Sequence, residues 1–238
     1  MANKESSYVQ DIFNRISHKY DFLNNLLSFG LHNLWKRKLV KLLKPVDGEN
    51  WADLCCGTGD MSILISHRIS PSGSVVGVDN ASEILSIARL RVEKKRKKLI
   101  SNKVIKWENK DIFDIDHTVN VFDGVCMSYG LRNLKDVEKG LEKVFFLLKE
   151  RGRAGFLDFN HSRDKSLACL FQKIYLRFVV VPFSKIFSLG SEYSYIEQSI
   201  RDFPDGIKLI QISKRIGFSS AEYKTLLGGQ MGILLLKR

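Results

Sequence analysis

Cysteine is scarce and ill-placed for either of its structural uses. The four thiols, Cys55, Cys56, Cys126 and Cys169, form no CxxC pair and have no histidine at metal-ligand spacing. A disulfide framework and a zinc site are therefore disfavoured, no metal is expected, and a reducing, cytoplasmic setting fits best. Proline is also rare, four in 238 residues, and no repeat or low-complexity tract stands out. That composition excludes collagen-like and disordered classes. The first residues, MANKESSYVQ, lack the basic start and apolar core of a secretion signal. The densest apolar run, IYLRFVVVPFSKIF at 174–187, is broken by Arg177, Pro182 and Lys185, so no transmembrane segment is expected.

Acid is in short supply as well. Twenty-six acidic against 38 basic side chains leave a net charge of +12. Much of the excess sits in RLRVEKKRKK at 89–98. Three readings stay open for it: a solvated helix end whose cations complement the helix dipole, an anionic membrane surface, and nucleic acid.

What is present is a rhythm. NWADLC (50–55), SVVGVD (74–79), KVIKW (103–107), VFDGVCM (121–127) and RAGFLDF (153–159) are short apolar runs that read as strands buried on both faces. Helix-period segments lie between them. At 82–98, Ile84, Leu85, Ala88 and Val92 make one stripe, and at 135–149, Val137, Leu141, Val144, Phe145 and Leu148 make another. Alternation of this kind predicts a single α/β domain built on a mostly parallel sheet. The ends differ: 7–44 reads as two helices, 160–216 as mainly helical, and 220–227 with 231–237 as a closing antiparallel hairpin. Ligands of open α/β sheets bind beyond the C-terminal ends of the strands, where such helical additions could roof them.

After the first strand, DLCCGTGD must turn sharply into a helix, and Gly57 and Gly59 permit both positive φ and close ligand approach. No lysine follows these glycines as a Walker loop requires, and Ser62 stands where a dinucleotide fingerprint needs its third glycine. Asp79, with Asn80 beside it, ends the second strand, where a carboxylate can accept ribose hydroxyls. Asp111 follows the third strand, within reach of an adenine amino group. Acids after three successive strands suit a nucleoside with little phosphate. S-adenosylmethionine fits especially well, since its sulfonium is cationic and its aminoacyl end can meet Asp53 or the loop backbone. The paired cysteines, with no adjacent histidine, are expected to pack rather than react.

KYDFLNNLLSFGLHNLWKR (19–37), DLCCGTGD (53–60), SYGLRNLKD (128–136), LDFN (157–160) and EYSYIEQSIRDFPDG (192–206) together resemble the C-methyltransferases of ubiquinone and menaquinone biosynthesis, over nearly the whole chain. LDFN, YLRFVVVP and the terminal MGILLLKR are most similar to the branch that methylates 2-phytyl-1,4-naphthoquinol; demethylmenaquinol and benzoquinols are the alternatives. The resemblance implies a seven-stranded Rossmann-like fold and adenosylmethionine contacts at Thr58, Asp79, Asp111, Ile112 and Ser128. It also implies a helical cap from residues 1–45 and 160–216. Two departures stand out: KERGR (149–153) replaces a Pro-Gly-Gly turn, and IFDIDHTVNVFD replaces a proline-containing acidic segment.

A neutral ring carbon is a poor nucleophile toward a methyl sulfonium, whereas an ionised quinol pushes electron density onto the adjacent carbon. Arg132 stays protonated and is expected to hold the developing phenolate, directly or through water, aided by Asn133, unless it merely pairs with Asp136. Tyr20, Asp21 and His161 are candidate proton acceptors by position. The apolar stretch 167–187 could line a channel for the lipid tail, and the basic surface could dock on anionic headgroups. A peripheral membrane contact is therefore expected, a homodimer is compatible with the chain, and nucleic acid is not the expected partner. An RNA or small-phenol methyltransferase and a catalytically silent adenosylmethionine-binding subunit are the rival readings.

Overall fold

The computed structural model describes residues 6–16, 28, 30–95, 104–116, 119–160, 190–226 and 229–238. Seven strands form one sheet: β1 (Asn50–Leu54), β2 (Ser74–Asp79), β3 (Ile105–Asn109), β4 (Phe122–Ser128), β5 (Leu148–Phe159), β6 (Ser220–Leu226) and β7 (Met231–Lys237). Their order is β3-β2-β1-β4-β5-β7-β6. The first five are parallel, and β7 enters antiparallel between β5 and β6. The predicted parallel sheet and closing hairpin are both present.

The described helices are α1 (Ser6–Ile16), α2 (His32–Leu43), α3 (Asp60–Ile69), α4 (Ser82–Lys95), α5 (Val137–Leu147), α6 (Gly190–Arg201) and α7 (Gly206–Ile216). The first expected stripe, Ile84, Leu85, Ala88 and Val92, is buried on α4; of the second, Leu141 and Val144 are buried on α5, Val137 and Phe145 are half-buried, and Leu148 belongs to β5. One apolar cluster on one face of the sheet joins α2, α3 and Val92 of α4 to Trp51. On the other face α5 and α7 pack around Phe156 and Leu234. No described helix is long and apolar enough to cross a membrane.

Boundaries shift where long-range pairing overrides the local pattern. The third strand runs two residues later than expected because its register is set by β2, with Val75 opposite Ile105 and Asp79 opposite Asn109. The fifth begins at Leu148, because that residue already pairs with Phe122 before a register shift, and the strand resumes with Arg153 opposite Gly124. Arg151 occupies the left-handed region at φ 62° in this corner. An arginine thus stands at a left-handed position that a glycine would adopt without strain.

Candidate active site

A cavity of about 330 Å³ opens at the C-terminal ends of β1 to β4. The chain reaches it by sharp exits from the strands: Cys55 at φ 52° after β1 and Tyr129 at φ 63° after β4 are both left-handed without being glycine. Strain of this kind persists only where the surroundings enforce it, and it clusters at ligand sites. Val9 of α1 forms part of the wall. That helix is tied down by Gln10, whose amide donates to the Asn80 carbonyl at 2.7 Å.

One half of the cavity carries the carboxylates Asp79 and Asp111, with Lys110 beside them. Asp79 Oδ2 accepts from Gly57 N at 2.8 Å and Oδ1 from Ala81 N at 2.9 Å. Burial raises the Asp79 carboxyl above its ordinary value, against those two hydrogen bonds and with the Asp111 charge adding to the rise. Asp111 caps the short turn at Ile112–Asp114 by accepting from Phe113 N at 3.0 Å. Ser128 Oγ is shut off from solvent and has no hydrogen-bond partner among the described residues. A buried hydroxyl normally has one, so this atom marks where a polar ligand group belongs. Ile84 and Ile112 supply apolar wall nearby. Two carboxylates, an unpartnered hydroxyl and flat apolar contacts suit an adenosine.

The sequence-derived candidates divide accordingly. Gly57, Asp79, Asn80, Asp111, Ile112, Ser128 and Asn133 are brought together around this cavity. Asp53, Thr58, Gly59 and Arg132 lie outside its wall. Tyr20, Asp21, His161 and the 167–187 stretch lie outside the described residues.

Each of the four displaced residues has a physical reason. Asp53 is 1% exposed and turns into the helix layer, accepting from Ser62 N at 2.8 Å and Ser62 Oγ at 2.6 Å, with the Cys126 thiol at 3.4 Å. These hydrogen bonds fasten the strand that leads into the glycine loop to α3. Thr58 is held by Arg91, whose Nη1 donates to both the Thr58 carbonyl and its hydroxyl, at 2.9 and 2.8 Å. Gly59 at φ 81° faces Trp107: a Cβ there would stand 2.5 Å from the indole. The close approach it permits is to a side chain of β3.

Arg132 turns away from the cavity as well. Its Nη1 donates to Asp158 Oδ1 and to the Tyr129 carbonyl, both at 2.8 Å, and its backbone N–H donates to Asp158 Oδ2. Asp136, the partner expected if Arg132 were only a salt-bridge residue, instead caps α5 by accepting from Lys139 N. Asn133 shares the Tyr129 carbonyl through Nδ2 at 3.2 Å, and its Oδ1 accepts from the Tyr195 hydroxyl at 3.2 Å. Burial raises the Tyr195 phenol to about 12, so it donates and does not ionise near neutrality. Sequence reasoning missed Asp158 and Tyr195 as site-forming groups, although both fall inside the quoted segments LDFN and EYSYIEQSIRDFPDG.

The described cysteines, Cys55, Cys56 and Cys126, are free thiols. Burial, then the neighbouring carboxylates, pushes the thiols of Cys55 and Cys56 well above their ordinary value. Cys126 is raised for the same reasons, with Asp53 as its neighbour. Among the described residues no group of three or more His, Cys, Asp or Glu is placed to hold a metal.

The basic run also changes meaning. Arg91 lies inside it, yet its Nη2 reaches Asp60 at 2.7 Å, and Lys36 Nζ reaches the other oxygen at 2.8 Å. Burial works against ionisation of Asp60, but the two cations outweigh it and hold the carboxyl at about 2. Part of the excess charge is therefore spent inside the helix layer, on the underside of the glycine loop.

Asp53 carries a pH prediction. Burial pushes it up to about 6, against the hydrogen bonds from Ser62 and Cys126. Between the ordinary value of 3.8 and about 6, the unfolded chain has released this proton and the folded chain has not. Stability contributed by the group is thus complete at the acid end and is lost as pH rises through that window. The loss amounts to about 3 kcal/mol at roughly 1.4 kcal/mol per pH unit. Asp53→Asn is expected to gain on the wild type by that order over the window, read by urea unfolding at its two ends. A constant offset between the two proteins would contradict this.

Residues 1–235 match the profile of the ubiE/COQ5 methyltransferase family. The chain belongs to that family. It is 36% identical over 230 residues to the 2-phytyl-1,4-naphthoquinone methyltransferase of Nostoc punctiforme, covering 97% of this chain and 98% of the relative. It is 37% identical over 227 residues to the chloroplastic 2-phytyl-1,4-beta-naphthoquinone methyltransferase of Arabidopsis thaliana, covering 95% and 86%. Among solved structures, an S-adenosylmethionine-dependent methyltransferase from Aquifex aeolicus superposes with a TM-score of 0.62 at 15% identity, over 87% of this chain and 91% of that one. A phosphoethanolamine N-methyltransferase from Haemonchus contortus, bound to S-adenosyl-L-methionine, gives 0.64 at 14% identity over 86% and 52%. The expected family and its adenosylmethionine-dependent fold are therefore the ones this chain has.

Proposed function

We propose that this protein methylates a ring carbon of a prenylated naphthoquinol, 2-phytyl-1,4-naphthoquinol in the first instance, with S-adenosylmethionine as donor. The observation that carries the reading is one cavity with two unlike halves, an acidic, adenosine-compatible one and an Asn133 amide backed by Arg132, Asp158 and Tyr195. S-adenosylmethionine supplies an electrophilic methyl group when bound. Asp79 would accept from the ribose, Asp111 from the adenine amino group, and Ser128 Oγ would gain the partner it lacks.

On the substrate side, Asn133 offers one amide N–H beyond the one given to Tyr129. Directed at a quinol oxygen, it aligns the ring and stabilises the charge that develops there. Arg132 contributes from behind. Its ion pair with Asp158 fixes the Leu131–Asn133 turn, and its charge lies close behind the developing anion. This moves the direct hydrogen-bonding role from Arg132 to Asn133. Of the segments expected to cap the site, α1 contributes Val9 to the cavity wall and helps to exclude water from the reacting pair, whereas α2 and α7 pack on the faces of the sheet; the lipid tail of the substrate brings the protein to a membrane surface.

The reading is tested by incubating the protein with labelled adenosylmethionine and a panel of reduced quinones, naphthoquinols and benzoquinols with short and long tails, and with RNA as control. Label in a naphthoquinol ring, lost when the quinol is kept oxidised, is the expected result. Label in RNA and in no quinol would overturn it.

A further inference from the structure

We propose that the outer face of α2 is the surface on which this protein rests against an anionic lipid bilayer. Leu34, Arg37, Lys38, Lys41 and Lys44 recur every three or four residues and make one stripe about 15 Å long at 1.5 Å per residue. All five are exposed, Leu34 to 60%, and Val46, just past the helix end, to 56%. The inner face, with Trp35, Leu39, Val40 and Leu43, is buried on the sheet. α2 and the residue that ends it, HNLWKRKLVKLLK, contain no acidic residue. None of Arg37, Lys38, Lys41 and Lys44 has an ion pair among the described residues.

The other basic segments among the described residues are not arranged like this. On α4, Arg91 is turned inward to Asp60 and Thr58, while Glu83 and Glu93 are interspersed with Arg89 and Lys94. On the opposite layer Arg215 of α7 pairs with Glu138 of α5. Beside α2, α3 runs in the same direction, since Lys36 meets Asp60 at their starts and Gly48 N donates to the Ile69 carbonyl at their ends. Arg68 is exposed in the last turn of α3.

An unbroken cationic stripe with apolar residues at both ends complements a headgroup layer, each basic side chain near the surface adding to the attraction. The stripe also points the right way. Its first turn adjoins the site, where Lys36 Nζ lies 5.6 Å over the ring of Tyr129, a cavity-wall residue. A bilayer lying along α2 is therefore level with the substrate end of the sheet. The placement deepens the reading of a lipid-tailed substrate and draws its purpose from it, but the binding can be measured without any substrate.

The test is sedimentation with phosphatidylcholine vesicles, with and without phosphatidylglycerol. Wild-type protein is expected to bind only the anionic vesicles, and less as salt is raised. The triple variant R37Q/K38Q/K41Q should bind on the order of 100-fold more weakly, three surface charges having been removed. Arg89→Gln with Lys94→Gln should change binding only a few-fold. An unshifted melting temperature, and unchanged methylation of a short-tailed soluble naphthoquinol, keep the loss from being one of folding. The proposal is overturned if the triple variant sediments like the wild type, if neutral vesicles bind equally well, or if single-stranded RNA binds while vesicles do not. Failure to methylate any quinol, with vesicle binding intact, would sink the substrate reading and leave the docking face standing.

Discussion

Asp158→Ala is expected to destabilise the protein by about 3–5 kcal/mol and to take turnover down by roughly 10²-fold or more. Asp158 and Arg132 are only 4% and 6% exposed at the side chain. Removing the carboxylate leaves a buried guanidinium without its 2.8 Å partner and frees the backbone N–H that pins the Leu131–Asn133 turn. The turn carries Asn133, so misplacing it disturbs the substrate half of the cavity. Arg132→Ala should likewise lower turnover strongly while leaving adenosylmethionine affinity near wild type, because neither residue touches the acidic half. The double variant separates the ion pair from the catalytic role. Its stability loss should fall well short of the sum of the two single losses, since no charge is left stranded, while turnover stays low. Additive stability losses, or single variants with unchanged turnover, would remove the pair from this account.

Asp79→Ala is expected to weaken adenosylmethionine binding by on the order of 10²- to 10³-fold, since hydrogen bonds to a charged group are each worth about 1.5–3 kcal/mol. The variant loses the proposed ribose acceptor together with the contact that draws the Gly57 N–H into place. Asp79→Asn, which keeps one acceptor oxygen, should lose less. Calorimetric titration of the two variants gives the ranking, and saturating adenosylmethionine should restore most of the turnover of Asp79→Asn. Affinity within about threefold of wild type for Asp79→Ala, barely 0.65 kcal/mol, would mean that the carboxylate serves only the loop.

The contrast between these aspartates shows how far the chain could be read in one dimension. Asp53, Asp79 and Asp111 all follow or end strands, and by position alone they are equivalent candidates. Asp79 and Asp111 stand at the cavity, while Asp53 is drawn sideways by Ser62 nine residues on. Similarly, GTGD reads as a ligand loop throughout, yet Thr58 is claimed by Arg91 and Gly59 by Trp107. A loop sequence specifies which conformations are allowed. Which atoms then face inward depends on side chains 33 residues and more away.

Sequence by itself determined the alternation of strands and helices, the closing hairpin, the position of the glycine loop and the family. These rest on local periodicity and on contiguous motifs, which a chain displays without being folded. Tertiary structure alone decided the pairing of Arg132 with Asp158 over Asp136, the Tyr195 hydroxyl on Asn133 across 62 residues, and the inward turn of Arg91 that leaves α2 with the unbroken cationic face. Each of those outcomes is a competition among several partners for one buried charge or hydrogen bond. Such competitions are settled by distance and burial, which spacing along the chain does not contain.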